Sequence, residues 1–206
     1  QTSEREALLK IHVLAHSPIE RIEVRNGTDL LETFRPYNPN DLGHRIRVIW
    51  SGAEYRGRGR QSTWTGRAVF KECRIERLAK INAWNHERRL DMCSKDTVEW
   101  DAITTGNFGG FDVWLEEGYD AELKLTCNRG EIQAPLNSIG FEDTVLNAGG
   151  LERRLRVFRL PPENSQHEVQ HQLLIPLNPN KDNPLWICVT TEDGFQAWSS
   201  PVFVFN

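Results

Sequence analysis

No stretch of this chain is apolar for long enough to cross a bilayer, which as a helix takes about 20 residues. There is no GxSxG elbow, no phosphate-binding loop and no dinucleotide fingerprint, so none of those chemistries announces itself by motif. Cys73, Cys93, Cys127 and Cys188 stand far apart without a CxxC pair, which argues against a zinc knuckle or a dense disulfide framework. An excess of positive charge is missing too. The net charge of −4 argues against a general nucleic-acid binder, whose affinity needs a basic footprint. Internal repeats, low-complexity tracts and an interdomain linker are all absent, so residues 1–206 read as one domain, with residues 1–8 as a lead-in. The sequence opens at Gln1 without a Met, a basic n-region or an apolar h-region. A processed or an excised chain is expected, and the strand-like stretch from Leu8 to Leu14 favours excision. The compartment stays open.

What is present is a series of short alternating segments. A hydrophobic content of 38% with 26% charged residues suits a soluble globular core and excludes global disorder. Trp186–Phe205 reads as a strand, an Asp193-Gly194 turn and a second strand that begins near Pro201. That hairpin is expected to close the protein within a sheet. Asn26-Gly27 is a hairpin turn between Ile19–Arg25 and Thr28–Phe34, although Asn26-Gly27-Thr28 also matches a glycosylation acceptor. After a Pro/Asn-rich loop, 35–43, the stretch Arg45–Trp50 puts Ile46, Val48 and Trp50 on one face and Arg45 and Arg47 on the other. Further strands are expected at 66–71, 98–104, 111–115, 121–127, 151–160 and 167–175. Arg74–Leu90 fits either period, and is assigned as a strand running into a charged loop. The fold class is all-β, an antiparallel β-sandwich-like domain with short turns and little helix.

Few residues point to chemistry. HEVQH, His167–His171, matches the zincin pattern, which requires a helix so that both histidines share one metal. Strict alternation and the following Pro176 favour a strand, with Glu168 on the face opposite the histidines. No metal and no cofactor are therefore expected. His12 and His16 share the same spacing but straddle a strand end without a partner acid. The paired acids Glu116-Glu117 and Glu192-Asp193 lie beside turns, and Gly106, Gly109 and Gly110 read as turn chemistry. The densest positive charge is the loop Arg56, Arg58 and Arg60, with Trp64 close behind it. Together they are the candidate contact for an anionic ligand or a partner, against the plain alternative of a solvated connection. Trp50, Trp100 and Trp186 sit in strand patterns and are expected in the core. Trp64, Trp84, Trp114 and Trp198 are less determined, and an exposed row of them would stack on sugars.

Three stretches together resemble a known family: Ile46–Gly66 (IRVIWSGAEYRGRGRQSTWTG), Val98–Leu115 (VEWDAITTGNFGGFDVWL) and Cys188–Val204 (CVTTEDGFQAWSSPVFV). They are similar to the C-terminal β-rich region of a bacterial family of unknown function. Its longer N-terminal part looks like a PHP-type (polymerase and histidinol phosphatase) metal-dependent hydrolase. The resemblance runs from about Ile19 onward, and its Trp, Gly and turn residues specify a family rather than a reaction. It implies a non-catalytic accessory domain whose partner is the N-terminal domain of the same polypeptide, since none of the His, Asp and Glu metal ligands maps onto these residues. The alternative is a carbohydrate- or anion-binding β-sandwich module. Neither nucleic acid nor membrane is an expected partner.

Overall fold

The computed structural model describes residues 6–116 and 121–205. Within them the chain is all-β and antiparallel, with two single-turn 3-10 segments, Pro39–Asp41 and Leu136–Ser138, as its only helical geometry. No helix among these residues is long and apolar enough to cross a membrane. The sequence reading counts one domain; by internal contacts the chain falls into two compact units. Unit 1 is discontinuous, Gln1–Tyr37 with Asn164–Asn206, and unit 2 is the intervening Asn38–Glu163. The first crossing falls inside the Pro/Asn-rich loop, and the second follows Pro161-Pro162.

The chain begins in unit 1 with β1 (Glu6–Leu14), β2 (Ile19–Asn26) and β3 (Asp29–Phe34). Unit 2 then supplies β4 (Arg45–Ala53), β5 (Ser62–Lys71), β6 (Ile75–Ile81), β7 (Leu90–Ser94) and β8 (Thr97–Thr104). It continues with β9 (Phe108–Leu115), β10 (Glu122–Cys127), β11 (Gly130–Pro135), β12 (Thr144–Asn147) and β13 (Leu151–Leu160). Back in unit 1 come β14 (Glu168–Pro176), β15 (Asn183–Thr191), β16 (Gln196–Trp198) and β17 (Val202–Val204). Arg74–Leu90 is thus strand β6 followed by a loop, and its Ile75 and Ile81 are both buried.

In unit 1 the pair β1-β14 packs on the sheet β16-β15-β2-β3, with β17 also paired to β15. Ile11, Ile175, Val24 and Leu185 meet between them, and Ile19, Ile22, Val169 and Val189 form a second cluster. The β2–β3 hairpin forms as expected, but Asn26 pairs with Asp29, so its two-residue loop is Gly27-Thr28 with Gly27 at φ +60.

Unit 2 is a sandwich of two five-stranded sheets, β11-β10-β5-β8-β7 and β12-β13-β4-β9-β6. Its centre is aromatic. Trp50 of one sheet stacks on Trp100 of the other, with ring centroids 5.2 Å apart and planes 6° from parallel, and Phe111 packs at a tilt against both. Trp100 lies over Gly66, where an added Cβ would come within 2.2 Å of the indole. Trp64 Nε1 donates to Thr104 Oγ1 at 2.9 Å, and that hydroxyl donates to Gly52 O at 2.7 Å, a polar bridge between the sheets. Gly109 and Gly110 are not turn residues as the sequence reading has them. They lie within β9, where an added Cβ would stand 3.0 Å from Trp50 Nε1 at Gly109 and 2.1 Å from Val48 O at Gly110. Gly106, at φ +105, does sit in the β8–β9 connection.

The alternation of β4 has a further consequence. Ile46, Val48 and Trp50 fill the core, while Arg45 and Arg47 point to the other face and are buried as well. Asp112, opposite Arg47 on β9, forms ion pairs with both. Arg47 grips it with a fork, Nε to Oδ1 at 2.7 Å and Nη2 to Oδ2 at 2.8 Å, and Arg45 Nη2 reaches Oδ2 at 2.5 Å. Burial alone would push the Asp112 carboxyl up; the Arg47 and Arg45 guanidiniums, by charge and hydrogen bonding, hold it below the ordinary carboxylate value.

Removing one partner of a buried ion cluster typically costs about 3–5 kcal/mol. Asp112→Asn is therefore expected to lower the thermal midpoint by about 10 °C, read by circular dichroism. Because the folded value is depressed, the stabilisation is complete above the unfolded pKa of about 3.9 and disappears as pH falls through the folded value. The variant should thus lose most of its deficit relative to wild type in acid. A midpoint shift of under about 2 °C at neutral pH would show the carboxylate to be dispensable.

Candidate functional site

The arginine loop lies between β4 and β5 and is exposed along its length. Gly57 at φ +93 and Gly59 at φ +76 take it through left-handed backbone, and Glu54 N donates to Arg60 O at 3.2 Å across its base. The Glu54 carboxylate is clamped by Arg153 and faces Arg129 at 3.6 Å. Arg56, Arg58 and Arg60 project from this base, and their guanidiniums form no ion pair among the described residues. Trp64 does not join them. It is fully buried, because Ser62, Trp64, Gly66, Ala68 and Phe70 form the inward face of β5, so the expected stacking partner belongs to the core.

HEVQH lies at the start of β14, and its residues point to separate neighbours. His167 Nδ1 is 3.3 Å from Ala15 O, while His171 stacks on Phe34 at 4.1 Å and lies 3.7 Å from Glu32. Glu168 turns to the other face and meets His12 Nε2 at 2.9 Å, which supplies the acid that His12 was expected to lack. The Gln170 amide and then His12 hold the Glu168 carboxyl below its ordinary value. On this strand the two histidines cannot share a metal in the zincin manner.

Of the pair Glu192-Asp193, Asp193 is tied into the closing turn, where it accepts from Ser17 Oγ and from Thr191 Oγ1. Burial pushes the Asp193 carboxyl up, but these hydroxyls hold it below the usual range. Glu117 of the pair Glu116-Glu117 lies outside the described residues. The cysteines are unpaired, and burial pushes the Cys188 thiol up to about 11, so it is un-ionised and inert as a nucleophile at neutral pH.

Two further surfaces carry exposed tryptophan. In unit 1, β16 and β17 run in succession along one side of β15 as its edge partner, pairing with Cys188–Thr190 and Asn183–Leu185. Phe195, Trp198, Val202, Phe203 and Phe205 there are each more than half exposed, and Phe203 stacks on Phe205 at 6.1 Å. No Asp, Glu, Lys or Arg occurs from Gln196 to Phe205. Trp198 is therefore at the surface, and Trp186 is half-buried, its Nε1 donating to Gly27 O at 2.8 Å with Arg25 over its ring.

In unit 2, the β6–β7 connection, 82–89, bridges the edges of the two sheets and roofs a groove of about 300 Å³. Its floor is Trp50, Ile81, Phe108 and Gly109; its rim carries Trp84, Asn82, Arg88, Arg89 and Asp101. Trp84 is 68% exposed. Trp114 is the fourth undetermined tryptophan: Arg45 and Arg77, its cross-strand neighbours on β4 and β6, lie over its ring at 4.7 and 3.6 Å, and its Nε1 donates to Pro162 O.

Replacing Arg56, Arg58 and Arg60 together with glutamine is expected to leave the thermal midpoint within about 2 °C of wild type, since exposed charges are worth roughly 0–1 kcal/mol. Differential scanning calorimetry decides it; a drop several times larger would make the arginines structural.

Comparisons with known protein families, with curated proteins and with solved structures give no match.

Proposed function

We propose that this chain is a non-catalytic accessory domain of a longer bacterial polypeptide, and that unit 1 docks it onto a PHP-like metal-dependent hydrolase body. The observation that carries this reading is the aromatic edge of β16 and β17. A sheet edge offers unpaired backbone groups to any passing strand, and native proteins blunt such edges with charge, bulges or cover. From Gln196 to Phe205 this edge has a proline, Pro201, but no charge, and five large apolar side chains between Phe195 and Phe205 are exposed. Exposed apolar side chains gathered along an uncharged sheet edge favour association. The likeness of three segments to the C-terminal β-rich region of a PHP-like family supplies the identity of the partner body. The catalytic groups would then belong to that body, and the chain would supply support and placement.

The test is association. The chain and the polypeptide encoded upstream of it, expressed separately, should co-elute in size-exclusion chromatography. Trp198→Ser/Phe203→Ser/Phe205→Ser should weaken that association by at least about tenfold while leaving the chain's own melting midpoint nearly unchanged. Absence of association, or indifference to the triple change, would overturn the proposal. So would phosphoester hydrolysis by the isolated chain.

A further inference from the structure

We propose that the β4–β5 loop of unit 2 binds an acidic polysaccharide, with Arg56, Arg58 and Arg60 as its anion contacts. The proposal concerns unit 2 alone and holds whether or not unit 1 docks to anything.

The chain as a whole is acidic, with a net charge of −4, yet positive charge collects around this loop. Arg153 from β13 donates to the Glu54 carboxylate at the foot of the loop, and Arg129 from the β10–β11 turn stands 3.6 Å from it. The loop and these two neighbours thus set five arginines against one carboxylate. Adding Glu131, Glu152 and Arg154, which follow the adjoining turns, still leaves six arginines to three acids. Of these, Glu152 already faces Arg154 at 3.5 Å.

The three loop guanidiniums are unengaged. Arg56, Arg58 and Arg60 are exposed and make no side-chain hydrogen bond or ion pair among the described residues. Gly57 at φ +93 and Gly59 at φ +76 separate them, so no side chain stands between one arginine and the next. An added Cβ at Gly57 would meet nothing within 4 Å, which sets the tip of the loop clear of its surroundings. The base, in contrast, is fixed. Glu54 N donates to Arg60 O at 3.2 Å, and the Glu54 carboxylate is anchored by Arg153, whose side chain is only 9% exposed. A fixed base reduces the ordering cost of binding while the guanidiniums stay free to fit an anion.

The residue types select the ligand. Every cation of the loop is an arginine, whose planar fork takes a carboxylate or a comparable oxyanion through two parallel hydrogen bonds, where lysine offers a point charge. Tyr55 is 53% exposed and lies against the loop at Gly59, where an added Cβ would stand 2.7 Å from its hydroxyl. A phenol ring beside guanidiniums offers apolar surface to a sugar ring whose acidic group the arginines hold. Successive arginines are two residues apart, about 7 Å at full extension, a spacing suited to a polymer with one charge per sugar ring. Duplex nucleic acid carries a charge every ~1.7 Å along its axis and needs a broad basic footprint, which a chain of net charge −4 lacks.

The experiment measures binding of the chain to polygalacturonate, dextran sulfate, uncharged dextran and a single-stranded oligonucleotide, by affinity electrophoresis and by calorimetry at low and high salt. At least one of the two acidic polysaccharides is expected to bind at about 100 µM or tighter in ~50 mM salt. Its affinity should fall by about tenfold or more by ~200 mM salt, because association releases counterions. Binding of either polysaccharide alone upholds the proposal and tells carboxylate from sulfate recognition. Arg56→Gln/Arg58→Gln/Arg60→Gln should weaken binding by about tenfold or more, Arg56→Lys/Arg58→Lys/Arg60→Lys by an intermediate amount, and Tyr55→Ala by a few-fold. The edge variant Trp198→Ser/Phe203→Ser/Phe205→Ser should bind as wild type does, so failure of the docking reading and failure of this one give different patterns. Silence with both acidic polysaccharides at low salt overturns the proposal. Binding that survives the triple glutamine change in a folded variant overturns it as well. So does an equal affinity for uncharged dextran, or an oligonucleotide that binds more tightly than both polysaccharides.

Discussion

The buried carboxylate of Asp112 is the constraint on which unit 2 depends. β4 must bury Ile46, Val48 and Trp50 to build the core, and strand alternation then sends Arg45 and Arg47 to the other face, which is buried too. Two guanidiniums out of water are tolerable only where a carboxylate meets them with good geometry. Asp112 does so from the neighbouring strand, and its contacts with Arg47 fix the β4–β9 register. Three residues further along the same register, Trp50 falls opposite Gly109. The absent side chain leaves room for the indole, which reaches across to stack on Trp100. The ion cluster on one face and the aromatic stack on the other are thus two results of a single pairing.

The same register shapes the groove. Phe108 and Gly109 begin β9 and form its floor with Trp50, and Asn82 hangs the roofing loop from Phe108 O. Unit 1 is built differently: its apolar side chains are shared between two small clusters and an exposed edge. A small unit that leaves ten large apolar side chains exposed among its described residues, half of them between Phe195 and Phe205, has surface in excess of its own folding needs, which is why association is read from unit 1.

Strands were legible in the sequence wherever one face is apolar and the other is not. Arg45–Trp50 and His167–Ile175 alternate strictly, and both are strands in the register that alternation gives. The same rule, carried through β5, places Trp64 inward with Ala68 and Phe70; its nearness in sequence to the arginine loop suggested a surface role that alternation denies. Features that depend on a distant partner were not legible. Gly109 and Gly110 look like a turn until Trp50 and Val48, about 60 residues earlier, are seen against them. Arg45 and Asp112 are 67 positions apart, and nothing local marks either as buried. The groove has the same character: Trp84 was recognised as undetermined, but Asp101 and Phe108 reach it from other strands.

Carboxyl-resolved NMR titration of Asp112 tests the central claim most directly. If Asp112 is the ionised partner of two buried guanidiniums, its side-chain carbon will titrate below the ordinary aspartate value of about 3.9, or remain ionised until acid unfolds the chain. Titration above that value would mean that burial outweighs the arginines, and that β4 and β9 are held in register by something other than this charge cluster.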